Sequence, residues 1–395
     1  MDFLTKNLVF SFLFTAIIFL INSVIPSQIN GFPKGGINRK IHSLYENVNS
    51  EKVFWDRYTN SEFRRRPFVL EFQKFMSEKR VLPLQASFNV LNFVALFFLF
   101  FSIPYVAINF GSQIQDGLYS QLLFFLSMPV LFPFLGSICT YDDILQYLLI
   151  VLFLIYFQRE KYWISFILFI LSCICRETSF IFLYYVGYQF FRKYGFDKKF
   201  AISILLWGFS SLFFYFYFLS FYLPIELQIG AKEFFVHYRF SAWDANFGTF
   251  RAVRESTTIM YLLTFGYLYF LLRKNKRSQI HNYNFLISFI FLNTIIVATS
   301  GLIRESRLLF LPMLLIIPVI QDEFKVVMHD VYKIMKTITY VEILVILFVC
   351  VIISIAWYSP LTTGTGYVFK LYTFVFTGFF GIVITYYLKT DKTIH

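Results

Sequence analysis

Long apolar runs broken by short polar segments follow one another from one end of the chain to the other. A helix needs about 20 mostly apolar residues to cross the ~30 Å hydrocarbon layer of a bilayer. The runs at 7–26, 86–110, 119–138, 143–157, 161–175, 177–191, 200–223, 257–272, 283–302, 306–320, 339–357 and 368–388 reach that length or come near it. They predict an all-α, polytopic integral membrane protein with about 12 transmembrane helices, in which residues 1–395 form a single transmembrane domain. The runs at 143–157, 161–175, 177–191 and 306–320 are short for full spans. The first run has no small-residue cleavage site after it and reads as a retained helix rather than a signal peptide. A loop of mixed polarity, 27–85, separates the first two runs, and a second, 225–255, precedes the run at 257–272. Within the first loop, 42–57 and 68–79 predict short amphipathic helices on the membrane surface; Phe68, Leu70, Phe72 and Phe75 alternate there with polar and charged residues.

Composition supports the membrane reading. The 395 residues are 58% hydrophobic and only 15% charged, too few charges to cover a soluble protein of this length. Phe (56) and Tyr (27) are in large excess, and lipid accepts exposed aromatic side chains without cost. In that setting the net charge of +12 points to membrane lipid as a partner and not to nucleic acid, because Lys and Arg gather in cytoplasmic loops and at headgroups. Cys139, Cys173, Cys175 and Cys350 all lie in or beside apolar segments, which predicts neither a disulfide framework nor a zinc site.

Lys and Arg also suggest an orientation. The runs RKYGFDKK at 192–199 and RKNKR at 273–277 are ordinary cytoplasmic anchors and place both termini in the cytoplasm. The opposite ends carry costlier groups: Tyr141-Asp142-Asp143, Arg176-Glu177-Thr178 and Arg304-Glu305-Ser306-Arg307. The first loop adds Asp56 and Arg64-Arg65-Arg66-Pro67 on the same side, and the second adds Arg239. Ionisable groups this deep in apolar sequence are expensive and point to function. Carboxylates there can act as general base or hold a divalent metal, and guanidiniums can hold a phosphate in bidentate fashion. Simpler roles compete: Asp142 as a helix cap, Arg176–Glu177 and Arg304–Glu305 as structural ion pairs, and Arg64 to Arg66 as a headgroup patch.

The order of these features resembles the GT-C superfamily of polytopic glycosyltransferases, which use polyprenyl-phosphate sugars. The resemblance rests on a first helix, a long outer loop with juxtamembrane helices, the acidic YDDILQ at 141–146, a short basic turn and Arg176-Glu177. It covers roughly 1–225 at the level of architecture. Arg64-Arg65-Arg66-Pro67-Phe68 and GLIRESRLLFLP at 301–312 are similar to segments of bacterial membrane proteins of this general type. The resemblance implies a bacterial inner-membrane enzyme that moves a sugar from a polyprenyl-phosphate donor to a glycan, lipid or protein acceptor on the outer face. Asp56, Asp142 and Asp143 would be the catalytic candidates. Arg64, Arg66, Arg176, Arg304 and Arg307 would bind phosphate, with Glu177, Glu305 and Arg239 in support. The family's acid usually follows the first helix closely, whereas 27–45 here holds no Asp or Glu. An oligosaccharide polymerase of envelope glycan assembly and a non-catalytic subunit of a membrane complex are the alternatives. A transporter is disfavoured, since no inverted repeat is visible.

Overall fold

The computed structural model describes residues 2–24, 66–131, 142–222, 242–277, 284–301, 303, 306–356 and 364–392. Among these residues the protein is all-helical, with no strand. The longer helices are α1 (Phe3–Val24), α2 (Pro67–Glu78), α3 (Leu84–Asn109), α4 (Gly117–Phe125), α5 (Asp143–Gln158), α6 (Tyr162–Cys175) and α7 (Phe182–Tyr194). They continue with α8 (Lys198–Tyr222), α9 (Phe250–Met260), α10 (Gly266–Arg277), α11 (Asn284–Ser300), α12 (Met313–Thr337), α13 (Tyr340–Ala356) and α14 (Gly364–Lys392).

Four helical segments among the described residues are long and apolar enough to cross a membrane: Phe3–Ile21, Asn89–Asn109, Lys198–Tyr222 and Lys370–Thr390. A fifth exists if α12 and α13, bent by 116° at their junction, count as one. The surface of α8 shows why a bilayer is the fitting solvent. Only Trp207, Ser211 and Tyr215, one turn apart, are buried along it. Leu205, Phe209, Phe216 and Phe221 are 65%, 69%, 62% and 82% exposed. Apolar area costs about 25 cal/mol per Å² in water and nothing in lipid. Trp207 anchors the buried stripe among Phe157 (5.4 Å between ring centroids), Phe166 (5.2 Å) and Phe169 (6.0 Å), so aromatic packing locks α8 onto α5 and α6.

The core is built around α3, α5 and the first half of α12. From Met313 to Ile320 every side chain of α12 is buried and apolar, which makes this stretch a central helix apolar all round. The stretch 321–337, which falls between the apolar runs expected at 306–320 and 339–357, is helical too. Phe324, Val327 and Ile334 keep the buried stripe going at helical spacing after the continuous apolar run has ended.

Three expectations change. The helix expected over 119–138 ends at Phe125 and restarts as the short helix Met128–Leu131. Pro129 has no N–H to carry the helical ladder past the break, and the Ser127 hydroxyl (2.5 Å) caps the Phe124 carbonyl while Tyr372 donates to that of Leu126 (2.8 Å). The helix expected over 177–191 opens as a 3-10 turn, Glu177–Ile181, before α7. The helix expected over 257–272 starts earlier, at Phe250, with a π-turn at Tyr261–Phe265 joining α9 to α10. The second outer loop is therefore helical over 242–247 and from Phe250 onward. The amphipathic helix expected over 68–79 is α2, and the one expected over 42–57 lies outside the described residues.

Hydrogen bonds sort the polar segments to the two ends of α5. At its C-terminal end Arg159 donates to Asn109 (3.4 Å), and Lys193 pairs with Glu160 (2.6 Å). Lys325 meets Asp116, just before α4, at 2.7 Å. The segments ending in Arg66 and starting at Asp142 and Arg176 meet at the other end.

Candidate functional site

Three stretches distant in sequence converge at the N-terminal end of α5. Arg66 is the residue before α2, Asp142 and Asp143 open α5, and Arg176 and Glu177 link α6 to the 3-10 turn. Arg66 Nη2 lies 3.1 Å from Glu177 Oε1, and Arg176 Nη1 pairs with Asp143 Oδ1. Arg66, Asp142, Asp143 and Arg176 are all buried; Arg176 and Asp142 are each only 2% exposed. Charge this deep persists only when it is paired and hydrogen-bonded.

Local structure explains the meeting. Arg176 has extended backbone angles (φ −160°, ψ 125°), which end α6 and turn the chain sharply. Glu177 then starts the 3-10 turn, so the two neighbouring charges leave the backbone in different directions. Asp142 occupies the N-cap position of α5, but its side chain makes no cap hydrogen bond, which corrects the capping expectation. Asp143 in the first turn gains from the positive end of the helix dipole. Pro67 opens α2, where its missing N–H costs nothing, so the helix begins immediately after Arg66. Val69, Leu70 and Gln73 bury one face of α2, and Tyr222 at the end of α8 donates to Glu71. Arg66 is thus fixed by a docked helix. Burial by itself would lower its pKa, and the charges of Glu177, Asp142 and Asp143 outweigh burial and raise it.

A hydrogen-bonded support surrounds the charges. Gln146 Nε2 donates to Thr178 Oγ1 (2.9 Å) and Ser179 Oγ (2.8 Å). The Ser179 hydroxyl donates in turn to the Ser172 carbonyl (2.9 Å). Cys175 Sγ donates to the Asp142 carbonyl at 3.4 Å. Gln146 joins the cluster although no residue type or motif singles it out in the sequence. The available signal was its position three residues from Asp143 and four from Asp142, on the same face of one helix.

The described residues flanking 304–305 are held by two asparagines and by an aromatic contact to α5. Asn246 donates to the carbonyls of Ala298 (3.1 Å) and Gly301 (2.8 Å) and accepts from the Ile303 amide (2.9 Å). Asn293 donates to the Leu308 carbonyl at 3.0 Å. Phe310 packs on Tyr147, one turn along α5 from Asp143, with ring centroids 5.8 Å apart. Arg304 and Glu305 lie outside the described residues, as do Asp56, Arg64 and Arg239. Arg307 lies in the short helix Ser306–Phe310, and its side chain is outside the described set.

The described cluster therefore holds two guanidiniums against three carboxylates. To hold a phosphate it would need more cations, or its carboxylates would have to yield their arginines. A divalent metal does not fit the described donors: Asp143 and Glu177 face guanidiniums, and no three of His, Cys, Asp and Glu form a metal-binding set among the described residues. Cys173, Cys175 and Cys350 are free thiols, all buried. Comparisons with protein-family models, with curated proteins and with solved structures find no match to this chain.

Proposed function

We propose that this chain is a membrane-embedded glycosyltransferase of GT-C type, with about 12 spans and both termini in the cytoplasm, in a bacterial inner membrane. The donor would be a polyprenyl-phosphate sugar and the acceptor a glycan, lipid or protein hydroxyl on the outer face. One observation carries the reading. Arg66, Asp142, Asp143 and Arg176, all buried, gather with the half-buried Glu177 from three separate segments at one end of an apolar bundle. Burying that many charges is costly, and chemistry on a charged lipid headgroup is a reason to bear the cost.

In the proposed step the acceptor oxygen attacks the anomeric carbon. The bond from that carbon to the phosphate oxygen breaks, and its electrons leave with the phosphate. The acceptor proton passes to a carboxylate, with Asp142 or Asp56 as the candidates. Arg66 and Arg176, joined by Arg64, Arg304 and Arg307, would stabilise the leaving phosphate. Membranes carrying the full chain, supplied with a set of labelled polyprenyl-phosphate sugars, test this. Transfer that drops at least a hundredfold in both Asp142→Asn and Arg176→Gln supports the reading. Transfer unchanged in Asp142→Asn combined with Asp56→Asn sinks the assignment.

A second reading rests on the same pairs. Because Arg66 and Arg176 each face a carboxylate, the cluster also suits a non-catalytic subunit in which the charges tie helices together. Copurification of a stable membrane partner, with carboxylate variants that still support that partner's activity, would favour it.

A further inference from the structure

We infer that Gln146 is a positioning residue for the charge cluster and sets the directions in which Arg176 and Glu177 point. This deepens the site reading above and rests on the same cluster, but its geometry can be tested apart from any activity. Gln146 is 1% exposed, on α5 one turn in from Asp142 and Asp143. Its single Nε2 spans two side chains of the facing turn, Thr178 and Ser179. Those two residues directly follow Glu177, so the carboxamide pins the 3-10 turn immediately after the charged pair.

The polarity of the contacts makes the amide specific. The Ser179 hydroxyl has one proton, and it goes to the Ser172 carbonyl of α6. Toward Gln146, Ser179 can only accept, so a donor must stand opposite it. Glutamate has the size of glutamine but would present an acceptor to that oxygen, beside Asp142 and Asp143. The relay from Gln146 through Ser179 to Ser172 also joins α5, the 3-10 turn and α6. Arg176 and Glu177 are therefore held from both sides, one toward Asp143 on α5 and the other toward Arg66 at the head of α2.

A double-mutant cycle on the detergent-purified full chain tests this without a substrate. Melting midpoints are measured for Gln146→Ala, Glu177→Gln and the double variant. Positioning predicts that the double variant loses less than the sum of the singles, because a displaced turn has already cost Glu177 its contact with Arg66. Strictly additive losses would overturn the inference. If Gln146→Ala does not fold, Thr178→Val removes one acceptor at nearly constant shape and takes its place in the cycle. Glutamate offers a second arm: Gln146→Glu should fall further than Gln146→Ala, and equal losses would also overturn the inference. Turnover of a labelled polyprenyl-phosphate sugar by the wild type reads the enzyme proposal separately, so either can fail alone.

Discussion

Arg66 and Glu177 stand 111 positions apart in the chain and meet at 3.1 Å. Their side chains keep 10% and 20% of their exposure. The contact ties the head of an amphipathic surface helix to the break between two core helices. Removing one partner leaves the other charged, buried and short of its counter-ion. Arg66→Ala should therefore destabilise by up to about 3–5 kcal/mol, reduced by Glu177's residual exposure. Replacing both partners by apolar residues, Arg66→Met with Glu177→Leu, should recover most of the loss. Thermal unfolding in detergent reads this, and a double variant as unstable as the single would refute the argument.

Asn246 should be as sensitive, for a different reason. Asn246→Ala strands the carbonyls of Ala298 and Gly301 and the amide of Ile303. Each buried group left without a partner costs about 1–3 kcal/mol. The variant should melt earlier and be cut faster by protease between 301 and 308; unchanged cleavage there would mean that Asn246 does not hold the segment.

Gly266 sits against an aromatic wall. A Cβ added there would lie 2.5 Å from Phe380 Cζ and 2.8 Å from Cε2. Phe380 is 6% exposed and packed against Phe270 (5.6 Å) and Phe376 (4.8 Å), so it has little room to retreat. Gly266→Ala should cost about 1–3 kcal/mol. Phe380→Leu in the same chain should offset part of that, and a Gly266→Ala variant as stable as the wild type counts against the packing described.

The Glu160–Lys193 pair behaves oppositely. The hydrogen bond from Lys193 holds the Glu160 carboxyl below its usual range. Its stabilising contribution is therefore present at neutral pH and is lost as pH falls through that lowered pKa. Both side chains are exposed, Glu160 to 66% and Lys193 to 38%, so the contribution is small and screened by salt. Glu160→Gln should leave the neutral-pH melting midpoint almost unchanged and remove only a slight acid sensitivity. A large midpoint loss at neutral pH would show that the pair matters more than its exposure implies.

The proposed topology puts the turn after α2 and the turn after α7 on opposite faces of the membrane. Cysteines placed at Arg80 and at Phe196, which is 89% exposed, should react with an impermeant maleimide from opposite sides of sealed vesicles. Labelling of both from one side would overturn the orientation.

Much of the helical framework is visible in the chain itself. Where an apolar run is uninterrupted, as over Lys198–Tyr222, the bilayer's thickness and the need to satisfy backbone groups allow little but a helix. The break at Ser127 is not readable in the same way: Pro129 lies beyond it, yet Pro104 and Pro318 sit inside unbroken helices, and the helix expected over 119–138 is continuous. The continuation of α12 through 321–337 was harder to see. Its polar face ends the apolar run, and only burial against neighbouring helices shows that Phe324, Val327 and Ile334 share a stripe.

The residue types of the candidate site came from the sequence alone: acids and arginines at helix ends, in segments where an unpaired charge would be ruinous. Which arginine answers which acid came only from the tertiary structure. Arg176 and Glu177 are neighbours in sequence and look like a natural pair. In the fold the extended backbone at Arg176 separates them, sending Arg176 to Asp143 and Glu177 to Arg66. Sequence determines the charges and the apolar lengths because those are properties of single residues and local runs. Partner choice depends on how α2, α5 and α6 cross, and that geometry is set by packing across the whole core.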